Sequence, residues 1–501
     1  KDDDEDEEEE DEITRTDLRE CTCHVVKVTV LSEMAWHWKM IGKKHMSLMY
    51  LLQSGEAALE NGEYVQTTLV VKEAVNFIKE IQEEETIHMS STKQLSNDLT
   101  RAKVECYRLL AQAKLYLGNM DEGMCDLQEG LRLLGTNLSE VSKHNDAIHY
   151  ATKALERTSP EFVYLESRCL GVASLYSLEN GDYQSAINYA NHKLDMMIRT
   201  SPPFKQVLEA FILVFDCYTY DPKRRNKTTE EAAMKLCSWR FNNKDVIPAN
   251  EVQAISHTLQ AIMFLKFTQN ELNGAIEIGF QVLKILQKIH DLNRIIKVLP
   301  ILSQAVMFSI NPIRSVESLV QLKECSVEIE NNTGLALYYG GLAEVIVKET
   351  FKVSGEYLHE CRGFAQEPYK EAHYTHHPDV EFYLTSCLAL WCVSFGMDLK
   401  TEIRLKWYKK AKKKKKDVPL KLRKSFWSIS ASFNMLEVRV HHMNSDYRND
   451  ISKLRLEKNN ILKSLNELTY EMRESFPVLE MKVNRVTKEL SNVWNFIKSL
   501  H

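Results

Sequence analysis

The sequence predicts an all-α chain: a solenoid of helical hairpins, closed by a C-terminal helical hairpin. Three observations carry this. A phrase recurs along the 501 residues: small residue, apolar helix, Gly/Asn turn, aromatic or Met, second apolar helix. Its clearest copy is Leu175-Tyr-Ser-Leu-Glu-Asn180-Gly181-Asp182-Tyr183-Gln-Ser-Ala186, and others centre on Gly118-Asn119-Met120 and Asn61-Gly62-Glu-Tyr64. No alternating, turn-punctuated strand pattern occurs. The composition, 44% apolar and 27% charged, is that of an ordinary globular chain.

The recurring phrase resembles degenerate tetratricopeptide repeats, which build binding surfaces rather than reaction centres. In chain order, residues 1–24 read as an acidic disordered linker, because self-repulsion and few apolar side chains leave nothing to offset the entropy of ordering. Residues 25–400 read as the solenoid. Val25 to Val30 fits either a helix or a short β-branched strand. Trp36 and Met40, then Met49, Leu52 and Leu59, fit two helices broken at Gly42, and a long helix follows over roughly 66–87. Loops are expected at 118–121, 135–147, 157–160 and 180–182, with Pro160 opening a helix. Further helices are expected at 204–218, 229–240, 250–268, 272–289 and 292–310. A weak repeat turn lies at Gln269-Asn270 and a weaker one at Phe395-Gly396-Met397-Asp398.

Residues 401–425 read as a basic loop and 426–501 as a C-terminal helical segment. In the latter, Ile451, Leu454, Ile461, Leu465, Leu468 and Met472 follow heptads with Lys458 as a misfit. Leu479, Val483, Val486, Leu490, Val493, Ile497 and Leu500 do so again beyond Pro477. Each run is only about three heptads, which favours a hairpin packed on the body over an extended coiled coil.

Charge is strongly segregated. Residues 1–12 carry eleven acids and one Lys; residues 400–424 carry thirteen Lys/Arg and two acids. The acidic run is a solvated linker or a tether for a basic partner, the Lys block of the same chain included. The block Lys412, Lys413, Lys414, Lys415 and Lys416 is a solvated loop or a contact for an anionic surface, an importin, a calmodulin-like protein or nucleic acid. Pro419 argues against one continuous helix through it. The opening Lys1-Asp-Asp-Asp-Glu has neither a basic-then-apolar leader nor an initiator Met, so the chain is expected to be a piece or processed product of a longer one. No apolar run reaches the roughly 18 to 20 residues of a membrane span. Eleven cysteines, an odd number, are expected to be reduced thiols of a cytoplasmic protein.

Motifs for chemistry are thin. Gly42-Lys43 lacks the upstream Gly and following Ser/Thr of a phosphate loop. Glu20-Cys21-Thr-Cys23-His24 gathers soft ligands without zinc-site spacing. His376-His377 and His441-His442 are adjacent pairs that diverge on a helix, and Cys387 and Cys392 read as core thiols. Trp36, His37 and Trp38 could stack on a ligand, but in a repeat array they are expected to wedge between hairpins. Trp36 and Trp38, with the five lysines, are the candidate interaction residues; no catalytic, cofactor-binding or metal-binding residue is assigned.

The phrase Ala35-Trp36-His37-Trp38 to Gly42, then Met49-Tyr50-Leu51-Leu52-Gln-Ser-Gly55-Glu56-Ala57-Ala58-Leu59 and Gly62-Glu-Tyr64, resembles the hairpin that follows the ATPase module of multidomain signalling proteins. Across residues 31–501 the chain resembles the C-terminal region of the mammalian soluble adenylyl cyclases. That resemblance implies a parent enzyme making cyclic AMP and pyrophosphate from ATP with Mg²⁺ or Mn²⁺, responsive to bicarbonate and Ca²⁺. Its catalytic and ATPase-like parts would lie N-terminal to this chain and be its partners, along with proteins bound in the repeat groove. A cyclase site needs paired metal-binding carboxylates on a mixed sheet; no such pair can be placed here, so no catalytic residue carries over. The other reading is a tetratricopeptide adaptor of a different ATPase-linked regulator.

Overall fold

A computed structural model describes residues 16–17, 24–88, 93–143, 146–200, 202–221, 224–242, 246–309, 312–349, 355–366, 377–395, 401–446 and 451–500. The described chain is helical almost throughout, and it divides into two compact units. The first comprises residues 1–221 with 226–258; the second comprises 222–225 with 259–501.

The first unit contains α1 (His24–Met40), α2 (Lys44–Glu60), α3 (Tyr64–His88), α4 (Lys93–Tyr116), α5 (Met120–Leu133), α6 (Leu138–Val141), α7 (Ala147–Arg157), α8 (Pro160–Glu179), α9 (Tyr183–Thr200), α10 (Phe204–Tyr220) and α11 (Lys227–Asn242). The division falls inside α12 (Ala249–Thr268). Consecutive helices pack as antiparallel hairpins, α1 on α2, α4 on α5 and α8 on α9, while α4 also packs directly on α8. Val25 to Val30 lies in α1 and is helical rather than a strand.

One turn closes hairpin after hairpin. At Gly62, Gly118 and Gly181 the residue takes a positive φ of 77° to 81°. The N–H of the residue after the glycine, three positions past the last helical residue, then turns back onto the helix: Glu63 N to Ala58 O, Asn119 N to Lys114 O and Asp182 N to Ser177 O, each at 2.9 Å. This left-handed cap satisfies carbonyls the helix end would leave open. Gly42 and Gly135 repeat it. Apolar side chains between hairpins form continuous cores, Val71, Phe77, Ile78 and Leu109 in one and Leu127, Val163, Cys169 and Tyr176 in the next.

The second unit continues with α13 (Leu272–Lys288), α14 (Leu292–Ser309), α15 (Pro312–Glu328), α16 (Asn332–Glu349), α17 (Gly355–Gln366), α18 (Pro378–Phe395), α19 (Thr401–Asp417), α20 (Phe426–Asp446), α21 (Ile451–Ser475) and α22 (Glu480–Leu500). The hairpin turn does not fade after Asn270 (φ 64°): it recurs at His290 and Glu330, both at φ 53°, with Asp291 N to Leu286 O and Asn331 N to Ser326 O closing it. The weaker turn expected at Phe395–Asp398 lies mostly outside the described residues.

α21 and α22 pack on each other and on α20, with Leu454, Ile461, Leu465, Met472, Val486 and Leu490 buried. The heptad misfit is explained: the Lys458 ammonium lies 4.2 Å from the centroid of the Trp494 ring in α22. A sealed polar network joins these helices to the body. Glu344 of α16 pairs with Lys482 of α22 and accepts from Tyr383 Oη at 2.5 Å and Gln304 Nε2 at 3.3 Å. Lys482 also donates to Asn434 Oδ1 of α20 at 2.8 Å.

Two expected boundaries need correction. The basic block is no loop: residues 401–417 form α19, and only Leu420–Lys424, after Pro419, is a 3₁₀ turn. Lysine and alanine are good helix formers, and Trp407 and Ala411 are buried on one face while the charges face water. Pro419 stops the helix without preventing it. Within 1–24, Thr16 and Asp17 pair in parallel with Ile247 and Pro248, and His24 already begins α1; the acidic run, Cys21 and Cys23 lie outside the described residues. His376 does too, whereas Cys387 and Cys392 are buried core thiols of α18.

Candidate partner-binding groove

The first unit holds a cavity of about 610 Å³ lined mainly by α2, α4, α8 and α10, with Lys193 and Met197 of α9, Tyr64 of α3 and His257 of α12 completing the wall. The lining side chains follow helical spacing: Glu56 and Glu60, then Arg108, Gln112 and Tyr116. Tyr164, Arg168, Val172 and Leu175 follow on α8, and Lys205, Glu209, Ile212 and Asp216 on α10. Residues three and four apart share a face, so each helix presents one stripe of polar residues with some apolar ones to the groove.

At the groove floor two guanidiniums and two carboxylates interlock. Arg108, nearly fully buried, donates Nε to Glu105 Oε2 at 3.0 Å and Nη1 to Gln112 Oε1 at 3.0 Å, and its Nη2 pairs with Glu56 and with Glu105 Oε1 at 2.9 Å. Arg168 donates Nη1 to Glu105 Oε1 and Nη2 to Glu56 Oε1, both at 2.6 Å. Burial alone would raise the Glu105 carboxyl, but Arg108 and Arg168 hold it down at about 2. The cluster therefore ties α2, α4 and α8 together with charge-assisted bonds.

Two other charges are left open. Lys193 reaches from α9 past Gly171, where an added Cβ would sit 2.9 Å from its Nζ. Burial pushes its ammonium down to about 8, an effect that Glu209 opposes and Arg168 and Arg108 reinforce. Asp216 opens onto the cavity, yet protein atoms crowd it enough to push its carboxyl up to about 7. Among the described residues neither side chain has an ion-pair partner. Tyr164 Oη bonds Gln206 Oε1 at 2.5 Å at one end of the groove, and Tyr64 and Tyr116 stack 4.7 Å apart at the other. A groove with fixed walls, one unpaired ammonium and one unpaired carboxyl can hold a polar segment of mixed charge and fix its register.

The residues singled out from the sequence lie elsewhere. Trp36 does not wedge between hairpins: it is 57% exposed on α1, edge-on to His37 at 5.2 Å, and Trp38 is half-buried. Neither lines the cavity. Lys412, Lys413, Lys415 and Lys416 are exposed on α19, and Lys414 pairs with Glu381 of α18. The groove residues went unrecognised, although lone charges inside apolar stretches were a signal: Arg108 before Leu109-Leu110, and Asp216 after Leu213-Val214-Phe215.

No family model matches the chain. It is 20% identical over 368 residues to human adenylate cyclase type 10, a match covering 68% of this chain and 22% of the human protein. Against solved structures, it aligns with Ypp1 over 95% of its length and 91% of that chain, at 9% identity and a TM-score of 0.28. A circular tandem repeat protein aligns over 95% and 96% at 12% identity, with a TM-score of 0.14. At such scores neither structure bears on the architecture.

Proposed function

We propose that this chain is the regulatory and scaffolding C-terminal region of a soluble adenylyl cyclase, whose parent makes cyclic AMP from ATP under the control of bicarbonate and Ca²⁺. The groove that leaves Lys193 and Asp216 open is the observation that carries the binding role. The distant similarity to human adenylate cyclase type 10 supports the parentage. In this reading the groove holds a segment of the catalytic or ATPase-like part, or of a further protein partner. Lys193 takes an acidic side chain, Asp216 a basic one, and the Arg108–Arg168 cluster keeps the wall rigid so that little order is lost on binding.

Among the described residues, no three of His, Cys, Asp or Glu gather as a metal cluster. The metal chemistry belongs to the parent's catalytic part in this proposal. No described helix is long and apolar enough to cross a membrane, and a cytoplasmic location is part of the proposal.

The test is capture of the separately expressed cyclase-bearing part of the parent by this chain. Retention at physiological salt supports the proposal, and no retention at low or physiological salt would sink it. Sequence upstream of Lys1 encoding an ATPase module without cyclase domains would replace it with the adaptor reading.

A further inference from the structure

α19 presents two unlike faces. One is fixed to the second unit: Trp407 and Ala411 are buried, the Trp407 indole N–H donates to Ala365 O at 3.0 Å, and Lys414 pairs with Glu381. The other is exposed and carries Leu405, Lys406, Lys409, Lys412, Lys413 and Lys416. Leu405, Lys409, Lys412 and Lys416 are spaced by four, three and four residues, a single straight stripe about 16 Å long at 1.5 Å per residue. Among the described residues none of these five lysines has a carboxylate partner; the Lys412 ammonium rests 5.2 Å from the Tyr408 ring centroid.

We propose that this stripe docks the protein on an anionic lipid surface. Five unpaired lysines on one face, three of them along one line, match a plane of negative headgroups, and their charge falls on the side opposite the face anchored by Trp407. The stripe differs from a nucleic-acid surface in two ways. Trp407 is buried and Tyr408 lies half-buried under Lys412, so no free ring is offered for base stacking. Lysines supply point charges rather than the bidentate forks that read base edges. Leu405, 40% exposed on the same stripe, adds an apolar contact that acyl chains accept and a phosphodiester backbone does not. The face holds the protein at the surface without inserting a helix.

The experiment is co-sedimentation of the full chain with vesicles of phosphatidylcholine alone or with about 30% phosphatidylserine. The variant Lys409→Gln/Lys412→Gln/Lys413→Gln/Lys416→Gln keeps good helix formers at exposed positions. A control, Lys72→Gln/Lys79→Gln/Lys463→Gln/Lys488→Gln, removes the same charge from exposed sites elsewhere; circular dichroism checks that both fold. The proposal predicts binding only to the anionic vesicles, fading as salt rises from about 0.05 M to 0.3 M. Each lysine near such a surface contributes about fivefold, so the stripe variant loses about a hundredfold or more while the control loses little. Equal loss in both variants, binding to neither vesicle, or tighter stripe-dependent binding to single-stranded RNA than to phosphatidylserine would overturn it.

Discussion

The groove of the first unit and the polar network of the second use the same side chains to opposite ends. In the second unit Glu344, Lys482, Tyr383, Gln304 and Asn434 are all buried, and the charged pair is satisfied on both sides. In the first, Arg108, Arg168, Glu56 and Glu105 satisfy one another, but Lys193 and Asp216 beside them are left with cavity in place of a partner. A sealed network fixes one packing, here the seat of α22 against α16 and α20. An open one holds unspent affinity for whatever enters, at some cost to the fold.

The comparison predicts opposite responses to removing a charge. Lys482→Met strands the Glu344 carboxylate in the core and should destabilise by about 3–5 kcal/mol, read by chemical denaturation. Glu344→Leu combined with Lys482→Met should recover most of that. If Lys482→Met alone is harmless, the network is not sealed.

The next effect is acid sensitivity in the groove wall. Arg108 and Arg168 hold the Glu105 carboxyl at about 2 in the fold, below its ordinary value of 4.5. A lowered folded pKa gives stability that is fully present above the unfolded value and lost as pH falls through the folded one. Glu105 should therefore contribute up to about 3 kcal/mol at neutral pH, declining between about pH 4.5 and 2. The stability gap between wild type and Glu105→Gln, followed by urea unfolding across that window, should close; a gap independent of pH would contradict the paired arrangement.

Asp216→Asn and Lys193→Met remove unpaired groups and should leave stability unchanged or raise it by up to about 1 kcal/mol. A loss of several kcal/mol in thermal unfolding would show that these charges are structural. The smallest effect concerns the turns: His290→Gly or Glu330→Gly relieves a side chain held at φ 53° and should stabilise by about 0.5 kcal/mol.

These turns show where the sequence was readable. Glycine at 62, 118 and 181 announces the left-handed cap, and Asn270 does so weakly, because those residues favour positive φ. His290 and Glu330 adopt the same conformation without any such preference, so their turns carried no signal in the sequence. The helices themselves were legible from apolar periodicity, as was the hairpin of α21 and α22. Charge density masked α19, whose helical anchor is two residues, Trp407 and Ala411. The groove was hidden for another reason. Glu56, Arg108 and Arg168 are 52 and 60 residues apart and lie six, ten and thirteen residues before Gly62, Gly118 and Gly181, so the repeat period does not align them. Only packing of α4 on α8 brings them together. The pairing of Thr16–Asp17 with Ile247–Pro248 is too short to carry any periodicity.

Whether the open charges of the groove are a partner site is read by calorimetric titration of this chain with the cyclase-bearing part of its proposed parent. Wild type, Asp216→Asn/Lys193→Met and Glu344→Leu/Lys482→Met would be compared in parallel. The groove variant should bind at least about tenfold more weakly, the cost of about one lost charge-assisted contact, while the sealed-network variant binds as wild type. Equal binding by wild type and the groove variant would contradict a partner site there.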